Sequence, residues 1–508
     1  MYIIYLRKED NKYVVIKEGN KKASKVFDSR EEAVYYCQKK KYEYRFSTDN
    51  SLITTNNKSH HKFYKIILTV IALLLVCLIA LVLLDYYGVV KTNIYIYFND
   101  FITNVTKPKE DEKSNNSNPT DNTNTPPNDS DNDDQTDNTT TTPSDTIKGI
   151  TYDDFQIHFL ELGNEYTGDS VYIKAGDTDI LIDAGSRKDS ASFISDYLDE
   201  YVTDDTLEYV IATHGDQDHI SGFVGNKSGS SYTGILYNYD VDNIIMNNLT
   251  TKTSQTYKDF LKAVDYAKGN GANVMYAADC FNDTNGAQSS FVLDSTNNIT
   301  MDILYNYYYF YESSDENNYS VCVMLNYNDH HFMLTGDLEL EGEEEMAKYY
   351  DGSTPDKTLP HVDLFKAGHH GSKTSSNECL LKLITPDIVC VCCCAGSSEY
   401  TANYENQFPT QDFIDRVAKY TDEVYVTSYY DEYDGKTKSL NGTIIVSSNG
   451  TEVAVSATDN TTKLKDTAWF NDTVYVKNGK ICDDKGDKNF YTKDTPGVSA
   501  VKRRIWPA

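Results

Sequence analysis

Basic charge is scarce in this chain. Against 77 Asp+Glu, the 508 residues hold only 47 Lys+Arg, a net charge of -30. Affinity for DNA or RNA comes mainly from Lys and Arg on phosphates, which argues against a general polyanion-binding surface. Cysteine is sparse too. Ten in the whole chain are too few for a domain built on disulfides. No Walker spacing follows Gly163 or Gly168, which removes a phosphate loop of that type. Hydrophobic residues still make up 39% and aromatics 12%, with 42 Tyr, so the chain can bury a core and wholesale disorder is excluded.

The charge is unevenly spread. Residues 1–65 hold 15 Lys+Arg and 8 Asp+Glu, a net of +7. One uncharged apolar run, Ile66 to Leu84, follows without Gly or Pro. As a helix it nearly matches a bilayer core of about 30 Å and is expected to span a membrane once. Lys58, Lys62 and Lys65 precede it, and Lys39-Lys40-Lys41 lies on the same side. The positive-inside rule therefore predicts a cytoplasmic N-terminus and an outside C-terminal part. Residues 107–147 are nearly all Asp, Asn, Thr, Ser, Pro and Lys, and predict a disordered, solvated stalk.

Residues 1–46 read as a small ββα unit with no evident chemistry. MYIIYLR and NKYVVIKEG alternate like strands, and Ser29-Arg30-Glu31-Glu32 opens a helix. The pattern resembles a family of small uncharacterised bacterial domains and implies an unknown cytoplasmic partner. From 150 to 457 the texture is α/β. FQIHFLEL, SVYIKAG, DILIDAG and EYVIATH are strand-like, while SASFISDYLDEYV, TYKDFLKAVDYAKG and TQDFIDRVAKY are amphipathic. Residues 458–508 form a C-terminal β extension. Cys390, Cys392, Cys393 and Cys394 lie in PDIVCVCCCAG, a buried strand in which Cys acts as a small hydrophobe.

The strand EYVIAT runs into His214-Gly215-Asp216-Gln217-Asp218-His219. Imidazoles and carboxylates at this density suit divalent metals, since without a cation the carboxylates repel each other. The cluster resembles the HxHxDH signature of the metallo-β-lactamase superfamily. With Asp216 in place of the middle His, it is similar to the hydrolase domain of the competence-type DNA-uptake channel. FLELGNEYTGDSVYIKAGDTDILIDAG, with Asp169, Ser170 and Asp183, NNYSVCVMLNYNDHHFMLTGDLE, with Asp337, and VDLFKAGHHGSKTSS, with His369, His370 and Ser372, resemble that group's further motifs.

The resemblance implies an αββα sandwich and two divalent ions, Zn or Mn. His214 and Asp216 would hold one, Asp218 and His219 the other, and Asp337 would bridge. One of His369 and His370 completes the second site, with His370 preferred. Asp218 would also orient the attacking water, and Ser372, Lys373 and Asn403 are the expected substrate contacts. Superfamily members usually carry another His between the first motif and the Gly-Asp motif, yet residues 220–329 contain none. The first site is therefore expected to be ligand-poor. His330 and His331 are expected to be exposed bystanders in a hairpin turn. The competence-type Asn-x-Tyr-Gly-His-Pro segment stands here as Asn403 to Pro409, without its His.

These readings predict a membrane-anchored extracytoplasmic hydrolase acting on phosphodiesters, either DNA or a cell-surface polymer. Lys366, Lys373, Arg187 and Lys188 would supply a local basic rim on an acidic surface. The alternative is an envelope ligand-sensing protein with a degenerate hydrolase domain. A β-lactamase or lactonase is disfavoured by the missing middle His.

Overall fold

The structure is a computed structural model that describes residues 2–7, 12–17, 25–27, 36–37, 44–46, 147–164, 166, 168–228, 231–482 and 494–507. The expected span Ile66–Leu84 lies outside these residues, as does the expected stalk apart from Ile147. Among the described residues no helix is long and apolar enough to cross a membrane. The chain divides into two units, 1–139 and 140–508.

In the first unit the expected hairpin is present, Tyr2–Arg7 antiparallel to Lys12–Lys17. Two further strands correct the ββα reading. Lys25–Phe27 pairs antiparallel with Tyr13–Val15, and Tyr44–Phe46 pairs parallel with Tyr2–Ile4. Lys25-Val26-Phe27 is too short to show alternation in the sequence, but the exposed edge of the hairpin gives it a template. Tyr36 and Cys37 are helical, and the Tyr36 ring lies 5.3 Å from that of Phe27.

The second unit is built on two sheets. The first runs in the order Asn273–Tyr276, Asp240–Met246, Thr206–Ala212, Thr178–Ile182, Val171–Ala175, Phe155–Phe159, Ile444–Ser448, Val453–Ala457 and Ile147–Lys148. Ile147 pairs with Ala454, so the sheet includes residues just before the expected boundary at 150. The second sheet runs Ser290–Asp294, Ile299–Ile303, Val323–Tyr327, His330–Leu334, Leu364–Lys366, Ile388–Ala395, Glu423–Asp431 and Lys436–Ser439.

Alternation along the strands explains the layering. Phe155, Ile157 and Phe159 meet Leu325, Phe332 and Leu334 between the sheets. Tyr172 and Leu181 face the other way, under helices Ser190–Tyr201, Gln217–Val224 and Gln255–Gly269. Helices Leu340–Tyr349, Glu378–Ile384 and Gln411–Val417 cover the outer face of the second sheet. Each large apolar side chain so buried contributes about 1.5–3 kcal/mol. This is the αββα arrangement expected. The four clustered cysteines are buried and unbridged in strand Ile388–Ala395, as read from their apolar context.

The topology gathers the motifs at one rim. Thr178–Ile182, Thr206–Ala212 and Asp240–Met246 are parallel, so their C-terminal ends share an edge. In the facing sheet His330–Leu334, Leu364–Lys366 and Ile388–Ala395 are parallel as well. Asp183, His214, Asp337 and His370 all follow such strand ends, where the backbone leaves the ladder and side chains can converge.

Candidate metal centre

Asp183 organises the first motif. One carboxylate oxygen accepts the Thr213 backbone N–H at 2.8 Å, and the other takes the Thr213 hydroxyl at 2.7 Å and faces His219 Nδ1 at 2.7 Å. Its φ of 59° is a strained conformation, held by these bonds. Helix Gln217–Val224 then begins, with Asp218 and His219 in its first turn. The turn at Gly168 packs directly on it. A Cβ on Gly168 would lie 1.9 Å from the Asp218 carbonyl oxygen, so glycine is required there.

Donor atoms of Asp169, His219, Asp337 and His370 lie within 4.8 Å of one another, and Asp218 adjoins them at His370. Asp337 Oδ2 lies 3.1 Å from His219 Nε2 and 3.3 Å from His370 Nε2, and Asp218 Oδ2 lies 3.4 Å from His370 Nε2. Donors around a tetrahedral ion with bonds of about 2.0–2.2 Å stand roughly 3.3–3.6 Å apart, so the cluster has the dimensions of a coordination sphere. Its atoms also want a partner. His370 Nε2 and Asp337 Oδ1 are buried without a hydrogen bond, as is His214 Nε2 beside them. Each such atom costs about 1–3 kcal/mol unless something satisfies it. The residues present therefore fit a divalent ion.

Burial alone would raise the Asp337 carboxyl, but His219, His370 and His369 hold it well below the usual carboxylate range. Reciprocally, burial opposes charge on His219 and His370, yet Asp337 and further carboxylates lift both imidazoles well above their ordinary range.

Asp169 stands in a second rank. It contacts His370 at Nδ1, 3.1 Å away, on the ring edge opposite Asp218 and Asp337. It also pairs with the Lys366 ammonium. Asp183 at His219 Nδ1 and the Cys392 carbonyl, 3.0 Å from His370 Nδ1, thus orient imidazoles whose Nε2 atoms face the cluster. Lys366 corrects the sequence reading: it is 2% exposed, bonded to Asp169 and to the Gly336 and Ala367 carbonyls, and is no part of a basic rim. The spacing of its strand, which ends at the cluster, turns it inward.

The adjacent histidines separate clearly. His370 joins the cluster, while His369 gives Nδ1 to Glu339 at 2.9 Å and keeps Nε2 3.9 Å from Asp337. On the other side, His214 Nε2 lies 3.6 Å from Asp216 Oδ2, and Lys252 Nζ lies 2.5 Å from Asp216 Oδ1. Ser320 Oγ sits 3.4 Å from His214 Nδ1, accepts the Asp337 N–H at 3.0 Å and donates to the Asn317 carbonyl at 2.7 Å.

Of the expected substrate contacts, Ser372 bonds to Thr374, Lys373 reaches Asn406 at 3.1 Å, and Asn403 caps a short turn through Glu405 N–H. Arg187 lies over the Tyr166 ring, and Lys188 pairs with Asp259 at 3.6 Å. Both line an open pocket with Gln217, Thr256 and Glu399. His330 and His331 begin a strand whose far end leads to Asp337. They are half-buried and hydrogen-bonded, to Asp363 and Asn326, rather than free in a turn.

Three participants were not singled out from the sequence. The Tyr400 hydroxyl donates to Asp218 at 2.5 Å, and its ring stacks near that of His370, 6.0 Å between centroids. Lys252 and Glu316 complete the Asp216 side. None carries a local signal, because each reaches the first motif only through the folded topology.

Residues 163–240 match the family model described as the metallo-beta-lactamase superfamily. Over 76 residues the chain is 33% identical to Recombination protein 2 of Haemophilus influenzae, which is 15% of this chain and 8% of that protein. The chain thus matches under a tenth of that relative's length. Among solved structures it is similar to Tm1679, a metal-dependent hydrolase of the beta-lactamase superfamily, at 12% identity and a TM-score of 0.31 over 56% of this chain and 99% of that one. It is also similar to the metallo-beta-lactamase fold protein YhfI from Bacillus subtilis, at 12% identity and a TM-score of 0.25 over 42% and 71%.

Proposed function

We propose that this chain, which carries a metallo-beta-lactamase superfamily domain, is a membrane-anchored extracytoplasmic hydrolase that uses a divalent metal, Zn or Mn, to cleave phosphodiesters. The observation that carries the reading is the convergence of Asp218, His219, Asp337 and His370 with two buried donor atoms unsatisfied. A divalent ion there would lower the pKa of a bound water toward about 7 and neutralise charge on a phosphoryl group.

The chain's own residues do the rest. Asp218 and Asp337 would hold the ion through carboxylate oxygens, and His219 and His370 through Nε2. Asp183 and the Cys392 carbonyl fix the His219 and His370 rings from behind. Asp218 is held by the Tyr400 hydroxyl at the mouth of the site and is placed to take a proton from an attacking water. Arg187 and Lys188, in the neighbouring pocket, are placed to meet a substrate anion.

The name of the Haemophilus relative favours a nucleic-acid diester. The net charge of -30 opposes a dense polyanion such as duplex DNA, and a teichoic-acid-like cell-surface polymer is the other class of diester. The membrane assignment rests on the apolar run Ile66–Leu84 and the lysines before it. The test is hydrolysis of bis-p-nitrophenyl phosphate and of single-stranded DNA with added Mn or Zn. Turnover that is lost in Asp218→Asn supports the proposal. Tight metal binding without hydrolysis of any diester contradicts it and favours the ligand-sensing alternative.

A further inference from the structure

The Asp216 side of the site is poor in donors. A catalytic metal site ordinarily has three protein ligands. Here Ser320 stands against His214, but its hydroxyl is spent on Asp337 N–H and the Asn317 carbonyl. Asp216 Oδ1 is taken by Lys252 Nζ at 2.5 Å. What remains is one imidazole nitrogen and a shared carboxylate.

Lys252 is not placed as a loose surface lysine would be. Glu316, 3% exposed, accepts from Gly215 N–H at 2.9 Å, between the two motif residues His214 and Asp216. The same carboxylate accepts from the Thr250 hydroxyl at 2.7 Å, and from Thr251 through its N–H at 2.5 Å and its hydroxyl at 2.8 Å. Lys252 N–H then donates to the Thr250 hydroxyl at 2.9 Å. One buried carboxylate thus stitches the Lys252 loop to the motif, and the ordering cost that weakens ordinary surface ion pairs is largely met by the fold.

We propose that Lys252 takes the place of a second catalytic cation, so that this chain works with one divalent ion and one ammonium. The proposal rests on the hydrolase reading above and deepens it. The ammonium has three donors, and Asp216 is its one partner among the described residues. Its side chain is 30% exposed, so the remaining donors can meet a phosphoryl oxygen. With the Lys252 ammonium on Asp216 Oδ1, charge repulsion lowers the affinity of the remaining pair, His214 Nε2 and Asp216 Oδ2, for a second divalent ion. On this proposal the two-ion expectation gives way to one ion, because the site lacks the further imidazole and carries the Lys252 ammonium on Asp216.

The test is Mn content per full-length chain after equilibration with excess Mn and removal of free ion, together with the Mn electron paramagnetic resonance spectrum. The wild type should hold about one ion with an uncoupled hyperfine pattern. Lys252→Ala should bind a second ion and show a coupled spectrum. Its turnover of bis-p-nitrophenyl phosphate at limiting Mn should fall roughly 10²-fold and recover partly as Mn is raised. Lys252→Arg, which keeps the charge, should retain single-ion binding. Two coupled ions in the wild type would overturn the proposal and leave the hydrolase reading intact. So would a Lys252→Ala protein unchanged in both ion content and rate. A wild type that binds no Mn or Zn at all would overturn both.

Discussion

Asp218 and Asp337 have different surroundings, and their variants should differ accordingly. Asp337 is flanked by two imidazole nitrogens at 3.1 and 3.3 Å, Asp218 by one at 3.4 Å and by the Tyr400 hydroxyl. Asp218→Asn removes charge at nearly constant size and should cost at least ~10²-fold in turnover while metal binding weakens. Asp337→Asn should lower metal content further, measured by plasma emission on the purified chain. His370→Ala should behave like Asp337→Asn, whereas His369→Ala should leave metal content near the wild-type value. The pH dependence has a definite sign. His219 and His370 are lifted well above the ordinary imidazole range in the metal-free protein, so binding an ion must displace their protons. Metal affinity should rise with pH, with proton release visible by calorimetry in buffers of differing ionisation enthalpy. At this scale the His214-to-His219 motif, Asp337 and the His369-His370 pair were legible in the sequence, because their ligand density is local. Lys252 and Glu316 were not, because a single lysine in a polar loop reads as solvated, and its meaning comes from a glutamate many residues downstream.

The elements that carry these residues were legible where apolar alternation was strong. The strand-like stretches FQIHFLEL and EYVIATH do hold strands, Phe155–Phe159 and Thr206–Ala212, and the hairpin of Ile444–Ser448 with Val453–Ala457 closes against Phe155–Phe159. The C-terminal extension was read as β, and Thr473–Lys477 does pair with Lys480–Ile481 and Ser499–Lys502, but its packing on another segment was not read. Arg504, 5% exposed, donates to the Pro409, Tyr404 and Gln407 carbonyls at 2.9, 3.0 and 2.7 Å. That loop brings Phe408 against His369 and His370. Arg504→Ala should cost on the order of 3 kcal/mol and loosen residues 404–409, seen as faster amide exchange. Strand Phe155–Phe159 also carries a buried pH sensor of stability. Burial, with Lys174 nearby, lowers the His158 imidazole to about 3. The ring stays neutral, with Nδ1 at Tyr197 OH (2.6 Å) and Nε2 at Gln156 Oε1 (2.9 Å). A depressed imidazole contributes stability that is fully present above its unfolded pKa of about 6.5 and is lost as pH falls toward 3. Denaturation midpoints should therefore drop across that window, on the order of 4–5 kcal/mol in all. His158→Gln, less stable at neutral pH, should lack this component of the slope.

At the scale of the whole chain, the proposed organisation is a basic N-terminal unit, a single span, a polar stalk and an acidic hydrolase unit. Charge asymmetry and the single apolar run carry this proposal, since both depend on composition and not on tertiary contacts. Protease added to intact cells should cut at 107–147 and release the second unit, while residues 1–65 stay protected. Protection of the second unit would reverse the orientation. The identity of the substrate was not legible, because an acidic surface with a few local cations suits several diesters. The central claim is that Asp218, His219, Asp337 and His370 form the metal-binding centre. Anomalous scattering from a crystal equilibrated with Mn tests it most directly. The account predicts a strong peak about 2.0–2.3 Å from Asp218, Asp337 and the Nε2 atoms of His219 and His370. No peak among these four side chains, or a strong peak bound elsewhere while they stay empty, would contradict it.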